Sequence, residues 1–96
     1  MADTILDDPI MRMIDGGAKV IDVRSLEEYD DEHYPNAINI PLNLIQAKAA
    51  ELGDKSAPLV LYCASGSRSA FAARMLSMAG FKNVVNAGGL YDMPGY

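Results

Sequence analysis

The chain has 96 residues, half of them hydrophobic, and a formal net charge of −5 at pH 7. This is one small domain, residues 1–96, with enough apolar material for a core; the acid excess argues against nonspecific nucleic-acid binding, and no apolar run is long enough to span a membrane. The single cysteine and single histidine form neither an intrachain disulfide nor a metal-ligand cluster, so no metal or other cofactor is expected.

The predicted elements alternate along the chain. Asp7 or Asp8 before Pro9 reads as an N-cap and first turn, opening a short helix over 10–14 that Gly16-Gly17 ends. Ile10, Met13 and Ile14 share one face of it. Residues 19–23 form a short apolar strand. Ser25 caps a helical turn through 27–31, where acids suit the positive end of a helix. Pro35-Asn36 marks a turn, and residues 37–40 form a second short strand stopped by Pro41. Residues 42–50 read as helix, with Leu44, Ile45 and Ala49 inward, and 53–58 as a loop. Residues 59–62 are almost wholly apolar, which places them centrally in a sheet. A short loop over 63–68 follows. The best helix runs over 69–79, with Phe71, Met75, Leu76 and Ala79 on one side and Gly80 just past its end. Residues 84–86 are a last strand, followed by Ala87-Gly88-Gly89. Such alternation predicts a small α/β domain with a mainly parallel central sheet flanked by helices. Ligands of such sheets bind beyond the carboxyl ends of the strands.

Cys63 lies at such an end. It follows the apolar run Leu59-Val60-Leu61-Tyr62 and precedes Ala64-Ser65-Gly66-Ser67-Arg68-Ser69. A lone cysteine ending an apolar strand is often a small buried hydrophobe. Here the small-residue loop and the helix start behind it favour a nucleophile instead. Loop N–H groups aimed inward and the positive helix end stabilise an anion on the sulfur and lower its pKa. Charge is distributed to match. Residues 1–54 hold twelve acids and four bases, whereas 55–91 hold four bases and no acid. Folding can still bring distant acids close.

Ala64, Ser65, Gly66, Ser67 and Arg68 form the candidate anion cradle, with Gly66 expected at positive φ. Arg68 either ties loop carbonyls or contacts the anion; the planar fork of donors favours the first. Ser67 and Ser69 either add hydroxyl donors or cap the helix, and capping is the simpler role. Asp22 and Arg24 read as scaffold ion pairs, Arg24 with Glu28 among them. His33 is expected to be a hydrogen-bonded structural residue rather than a base. The acid run 27–32 reads as a solvated helical face.

Four separate segments resemble the single-domain rhodaneses, a family of sulfurtransferases. They are Asp22-Val23-Arg24 with Glu28; Glu32-His33 followed by Asn36-Ala37-Ile38-Asn39-Ile40-Pro41-Leu42; Cys63-x-x-Gly66-x-Arg68-Ser69; and Asn86-Ala87-Gly88-Gly89-Leu90. Their order and spacing most resemble the small phage-shock protein E type. Glu32 and Asn36 stand where the family usually has glycines. The tryptophan that usually follows the glycine pair by a few residues is absent, and so are the basic residues many thiosulfate-using members carry near the cysteine. The resemblance implies persulfide chemistry at Cys63. The expected donors are thiosulfate or another sulfane-sulfur compound, and the expected acceptors are cyanide, a small thiol or a protein thiol.

Without a second cysteine, the sulfur must pass to an outside acceptor. That leaves two main readings: a thiosulfate sulfurtransferase, or a persulfide-carrying module that delivers sulfur to a partner protein. Cysteine phosphatases use a related loop with five residues between cysteine and arginine. Four separate Cys63 from Arg68, and the tighter ring suits one sulfur atom better than a tetrahedral phosphate. A noncatalytic scaffold is disfavoured by Cys63 itself. No basic segment leads an apolar one in the manner of a secretory signal; this favours the cytoplasm, with a mature periplasmic form left open. A monomer without nucleic-acid or membrane partners is expected.

Overall fold

Successive strand residues face opposite sides of a sheet, and the apolar strands here are buried on both sides. The computed structural model describes residues 8–96. Four strands run parallel: β1 (Lys19–Asp22), β2 (Ile38–Asn39), β3 (Leu59–Cys63) and β4 (Val84–Gly89), in the spatial order β2-β1-β3-β4. β3 is central and every residue of it is buried, as its unbroken apolar run predicts. The order reverses between β1 and β3, so the crevice beyond their carboxyl ends is the switch point where open α/β sheets take ligands.

One face of the sheet carries Ile21, Leu59, Leu61 and Cys63, packed with Ile45, Leu52, Ala72 and Leu76. The other carries Val20, Val60 and Tyr62, packed with Tyr34, Ala37, Leu90 and Met93; Ile10, Met13 and Ile14 pack against this cluster. Those three come from α1 (Pro9–Asp15), whose N-cap Asp8 accepts from the Ile10 and Met11 N–H groups. The Asp7 alternative lies outside the described residues. α2 (Leu26–Asp31) opens with a reciprocal capping box between Ser25 and Glu28, worth about 1 kcal/mol for the cap alone. Asn36 adopts a φ of 67°, a conformation that asparagine tolerates better than most residues, so the turn keeps a shape glycine would otherwise supply.

The structure corrects four expectations. The helix over 42–50 is a composite: a 3-10 turn at Leu42–Leu44, one α-helical turn α3 (Ile45–Lys48), and a second 3-10 turn at Ala49–Leu52. Ile45 is buried and Ala49 packs against the core, but Leu44 is exposed. Helix α4 (Ser67–Met78) starts two residues earlier than expected and ends on Gly80 at positive φ, with the Phe81 N–H returning to the Leu76 carbonyl. Its buried side is Ser69, Ala72 and Leu76, whereas Phe71 is 56% exposed. Small residues let α4 approach the sheet closely, and hydrophobicity alone picks the wrong stripe.

Beneath the sheet's other face, Asp22 and Arg24 pair within the scaffold as expected. Arg24 Nε and Nη2 donate to the buried Asp22 carboxylate, and Nη2 also reaches the Glu32 carbonyl. Tyr62 Oη donates to Asp22 Oδ2 at 2.7 Å and accepts from the Tyr34 N–H at 3.0 Å. Arg24 thus binds Asp22, not Glu28. Burial, with the Asp22 carboxylate also contributing, pushes the Tyr62 phenol well above its ordinary range.

Candidate active site

β3 delivers Cys63 to the sheet's carboxyl edge, and the chain turns into α4 within three residues. Gly66 makes that turn at φ 100°, a conformation available to glycine without strain. The turn brings the Gly66 N–H to 2.9 Å from Cys63 Sγ. One turn into α4, Ser69 Oγ stands 3.3 Å from the same sulfur. The cradle is therefore shorter than the expected six-residue loop. Ala64, Ser65 and Gly66 form the loop proper, and Ser67 and Arg68 belong to the first turn of α4.

Two opposed effects act on the thiol. Burial pushes its pKa up. Hydrogen bonds from the Ser69 hydroxyl and from the N–H groups of Ser69, Ser65 and Gly66 pull it down, and together they win, leaving Cys63 below its ordinary value. The sulfur is enclosed, since Cys63 is 0% exposed.

Ser69 is not a cap; Gly66 holds the N-cap position with no side-chain bond. Besides the sulfur, its hydroxyl faces Asn86 Oδ1 at 2.6 Å, the Gly66 carbonyl at 3.2 Å and the Gly88 carbonyl at 3.4 Å. One proton serves these acceptors, and a negative sulfur competes for it best. Ser67 does not cap either: its hydroxyl lies 3.3 Å from that of Ser65.

Asn86, met in the sequence only as part of a shared segment, has a role the sequence did not assign. Its Nδ2 donates to the Gly66 carbonyl at 3.0 Å, and its Oδ1 accepts from the Gly88 N–H at 3.0 Å. It thereby pins the cradle to β4. An irregular register between β3 and β4, with Leu61 opposite Asn86 but Cys63 opposite Gly89, slides the glycine pair beside the loop. A Cβ on Gly89 would stand 2.3 Å from the Ala64 carbonyl oxygen. The signal available in the sequence was a polar residue at a strand end followed by two glycines, a pattern of close backbone approach.

Arg68 corrects the expectation for its role. Its terminal nitrogens tie no loop carbonyl, and the sulfur acts on its charge through space. Its Nη1 and Nη2 bind Glu28 Oε1 and Oε2 at 2.8 and 3.0 Å. A carboxylate is a stronger acceptor than a peptide carbonyl and matches the guanidinium fork. The same carboxylate accepts from the Ser25 N–H and hydroxyl. Arg68 first, with Ser25 helping, holds Glu28 down to about 2. The acid-free segment has thus met an acid across the fold, and the acid run is more than a solvated face. Glu32 likewise accepts from the hydroxyls of Tyr91 and Tyr96. His33 is structural, as expected: its ring stacks on Tyr29 with centroids 3.8 Å apart, and Nδ1 lies 2.8 Å from the Tyr29 carbonyl.

Comparison with known proteins points the same way. A family model described as the rhodanese-like domain matches residues 8–92. The thiosulfate sulfurtransferase PspE of Escherichia coli strain K12 is 43% identical over 74 residues, 76% of this chain and 71% of that protein. The Bacillus subtilis strain 168 protein named "Putative sulfur carrier protein YrkF" is 39% identical over 72 residues, 75% of this chain; the aligned part spans 38% of its length. A solved structure described as rhodanese with anions from E. coli superposes with a TM-score of 0.76 at 41% identity, covering 80% of this chain and 92% of that one.

Proposed function

The chain belongs to the rhodanese-like domain family, and from that premise we propose that its 96 residues form one sulfurtransferase domain acting through a persulfide on Cys63. The observation that carries this reading is the sulfur's setting: Sγ accepts from the Gly66 N–H at 2.9 Å beside the Ser69 hydroxyl. Such a cradle favours a charged sulfur.

In the proposed reaction the Cys63 thiolate attacks the sulfane sulfur of a donor such as thiosulfate. The Sγ–S bond forms, the donor's S–S bond breaks, and its electron pair leaves with sulfite. The terminal persulfide sulfur keeps the negative charge and draws on the N–H donors of Ser65, Gly66 and Ser69 together with the Ser69 hydroxyl. An acceptor nucleophile, cyanide or a thiolate, then takes that sulfur, and Cys63 leaves as thiolate. Gly66, with Ala64 and Ser65, shapes the cradle; Ser67 lies beside it; Arg68 acts on it from a distance by fixing α4 to Glu28.

Thiocyanate formation from thiosulfate and cyanide tests this, with Cys63→Ser expected to abolish turnover. Thiocyanate production surviving in that variant would refute the role of Cys63. Similarity to YrkF, together with the absence of a second cysteine in this sequence, supports a second reading, in which the persulfide is handed to a protein thiol. Slow turnover with cyanide beside fast transfer to a specific thiol protein would favour it.

A further inference from the structure

Past β4 the chain makes one 3-10 turn at Leu90–Asp92, with the Met93 N–H on the Leu90 carbonyl at 3.1 Å. Leu90 and Met93 are buried in the cluster on the sheet's other face. They anchor the turn and leave Asp92 at the surface. Its Oδ2 reaches back and accepts the Gly89 N–H at 2.8 Å. The same oxygen lies against the preceding glycine, where a Cβ on Gly88 would stand 2.8 Å from it. One carboxylate thus braces both glycines from the outside.

The inner side of the pair meets the cradle. Gly89 stands opposite Cys63 in the sheet. Only a hydrogen fits between its Cα and the Ala64 carbonyl, since a Cβ would come within 2.3 Å of that oxygen. The Ala64 carbonyl and the Ser65 N–H belong to one rigid peptide plane. Holding the carbonyl therefore aims the N–H, which is one of the donors that pull the Cys63 thiol down. Gly88 in turn touches Gly66, where a Cβ would stand 3.2 Å from Gly88 Cα, and the Gly66 N–H meets Sγ at 2.9 Å. The charge of Asp92 opposes an anionic sulfur, and residues 55–91 before it hold no acid. What this carboxylate offers the cradle is position, not field.

Resting on the sulfurtransferase reading, we propose that Asp92 is a positioning residue for the transferred sulfur. Its carboxylate fixes Gly88-Gly89, the glycines fix the Ala64–Ser65 peptide and Gly66, and these aim two N–H groups at Cys63 Sγ. Asp92 acts only through the backbone it holds.

Three substitutions separate the contributions. Asp92→Asn keeps an acceptor oxygen and drops the charge. Asp92→Glu keeps the charge and displaces the oxygen. Asp92→Ala removes both. Each is followed by two readouts: the rate of Cys63 loading from thiosulfate, by quenched intact-protein mass, and the pH midpoint of Cys63 alkylation. Asp92→Ala should load about tenfold more slowly, short of the roughly hundredfold that a full 1 Å misplacement brings, and its alkylation midpoint should rise. Asp92→Glu should resemble it, and Asp92→Asn should stay near wild type. Asp54→Ala is the structural control, because Asp54 Oδ1 accepts the Ser56 N–H at the same 2.8 Å on an exposed loop before β3. It should lower Tm to a similar degree and move neither readout. Wild-type loading and midpoint in Asp92→Ala would overturn the proposal, and so would an Asp92→Asn as impaired as Asp92→Ala. An Asp54→Ala as slow as Asp92→Ala would also overturn it, since lost stability would then account for both. The alkylation midpoint needs no sulfur donor: a wild type that takes up no sulfur defeats the sulfurtransferase reading, and the midpoints still decide the role of Asp92.

Discussion

Gly89→Ala is the substitution whose effect the geometry specifies most closely. Gly89 has a φ of −94°, which any residue adopts, so the change acts through space alone. Its new Cβ would stand 2.3 Å from the Ala64 oxygen and 3.0 Å from the Ala64 carbonyl carbon, against 3.4 Å where ordinary contact begins. Relief requires a backbone shift of about 1 Å, and a misplacement of that size at a reacting centre can lower a rate by about 10²-fold. Ala64 follows Cys63 directly, so the shift falls on the sulfur and on the loop N–H groups. Overpacking of this kind also costs about 1–3 kcal/mol in stability. The assay is the rate of persulfide formation from thiosulfate, by quenched mass spectrometry, beside a thermal melt. Gly80→Ala is the control: it is strained by a φ of 104° but lies at the far end of α4, near Lys55. It should lower Tm and leave loading intact. Gly89→Ala loading at the wild-type rate would refute the argument that β4 sets the cradle's shape.

Other consequences are equally checkable. Alkylation of Cys63 against pH should show a midpoint below the ~8.5 of a free cysteine, and Ser69→Ala, which removes one donor to the sulfur, should raise it. Glu28 is depressed in the fold to about 2 from an ordinary 4.5; its contribution to stability is therefore present above pH 4.5 and lost as pH falls towards 2. The gap in Tm between wild type and Glu28→Gln should close across that window. A double-mutant cycle of Arg68→Ala and Glu28→Ala should give a coupling of only about 0.2–1 kcal/mol, because both side chains are about one-third exposed; Arg68→Lys, which keeps the charge but loses the fork, should fall between wild type and Arg68→Ala in stability. Tyr62→Phe leaves the buried Tyr34 N–H without its acceptor and removes one donor from Asp22 Oδ2, which keeps Arg24, and chemical denaturation should show a loss of about 1–3 kcal/mol.

The sequence was most legible where local pattern and global fold agree. The apolar run ending at Cys63, the small loop and the helix behind it are consecutive, so spacing alone placed the cysteine at a strand's carboxyl end. The positive φ of Gly66 and the structural part of His33 were legible for the same reason. Contacts between distant segments were not. Arg68 meets Glu28 forty residues away, and nothing in either neighbourhood announces it. Asn86 reads as an ordinary strand-end residue until the irregular β3–β4 register carries it to Gly66. Phe71 misled because a large apolar side chain is the usual marker of a buried helix face. Here α4 approaches the sheet through Ser69 and Ala72, and Phe71 is left exposed. The 3-10 turns flanking α3 escaped because periodicity does not separate a broken helix from a continuous one.

The central claim is that Cys63 carries the transferred sulfur, and a single-turnover mass measurement tests it most directly. Incubation with thiosulfate and removal of excess donor should leave the chain heavier by one sulfur atom, located to Cys63 by peptide mapping. Addition of cyanide should restore the original mass with release of one equivalent of thiocyanate, and Cys63→Ser should show neither step. A wild-type chain that stays at its original mass with thiosulfate and with an organic persulfide alike, while remaining folded, would contradict the account.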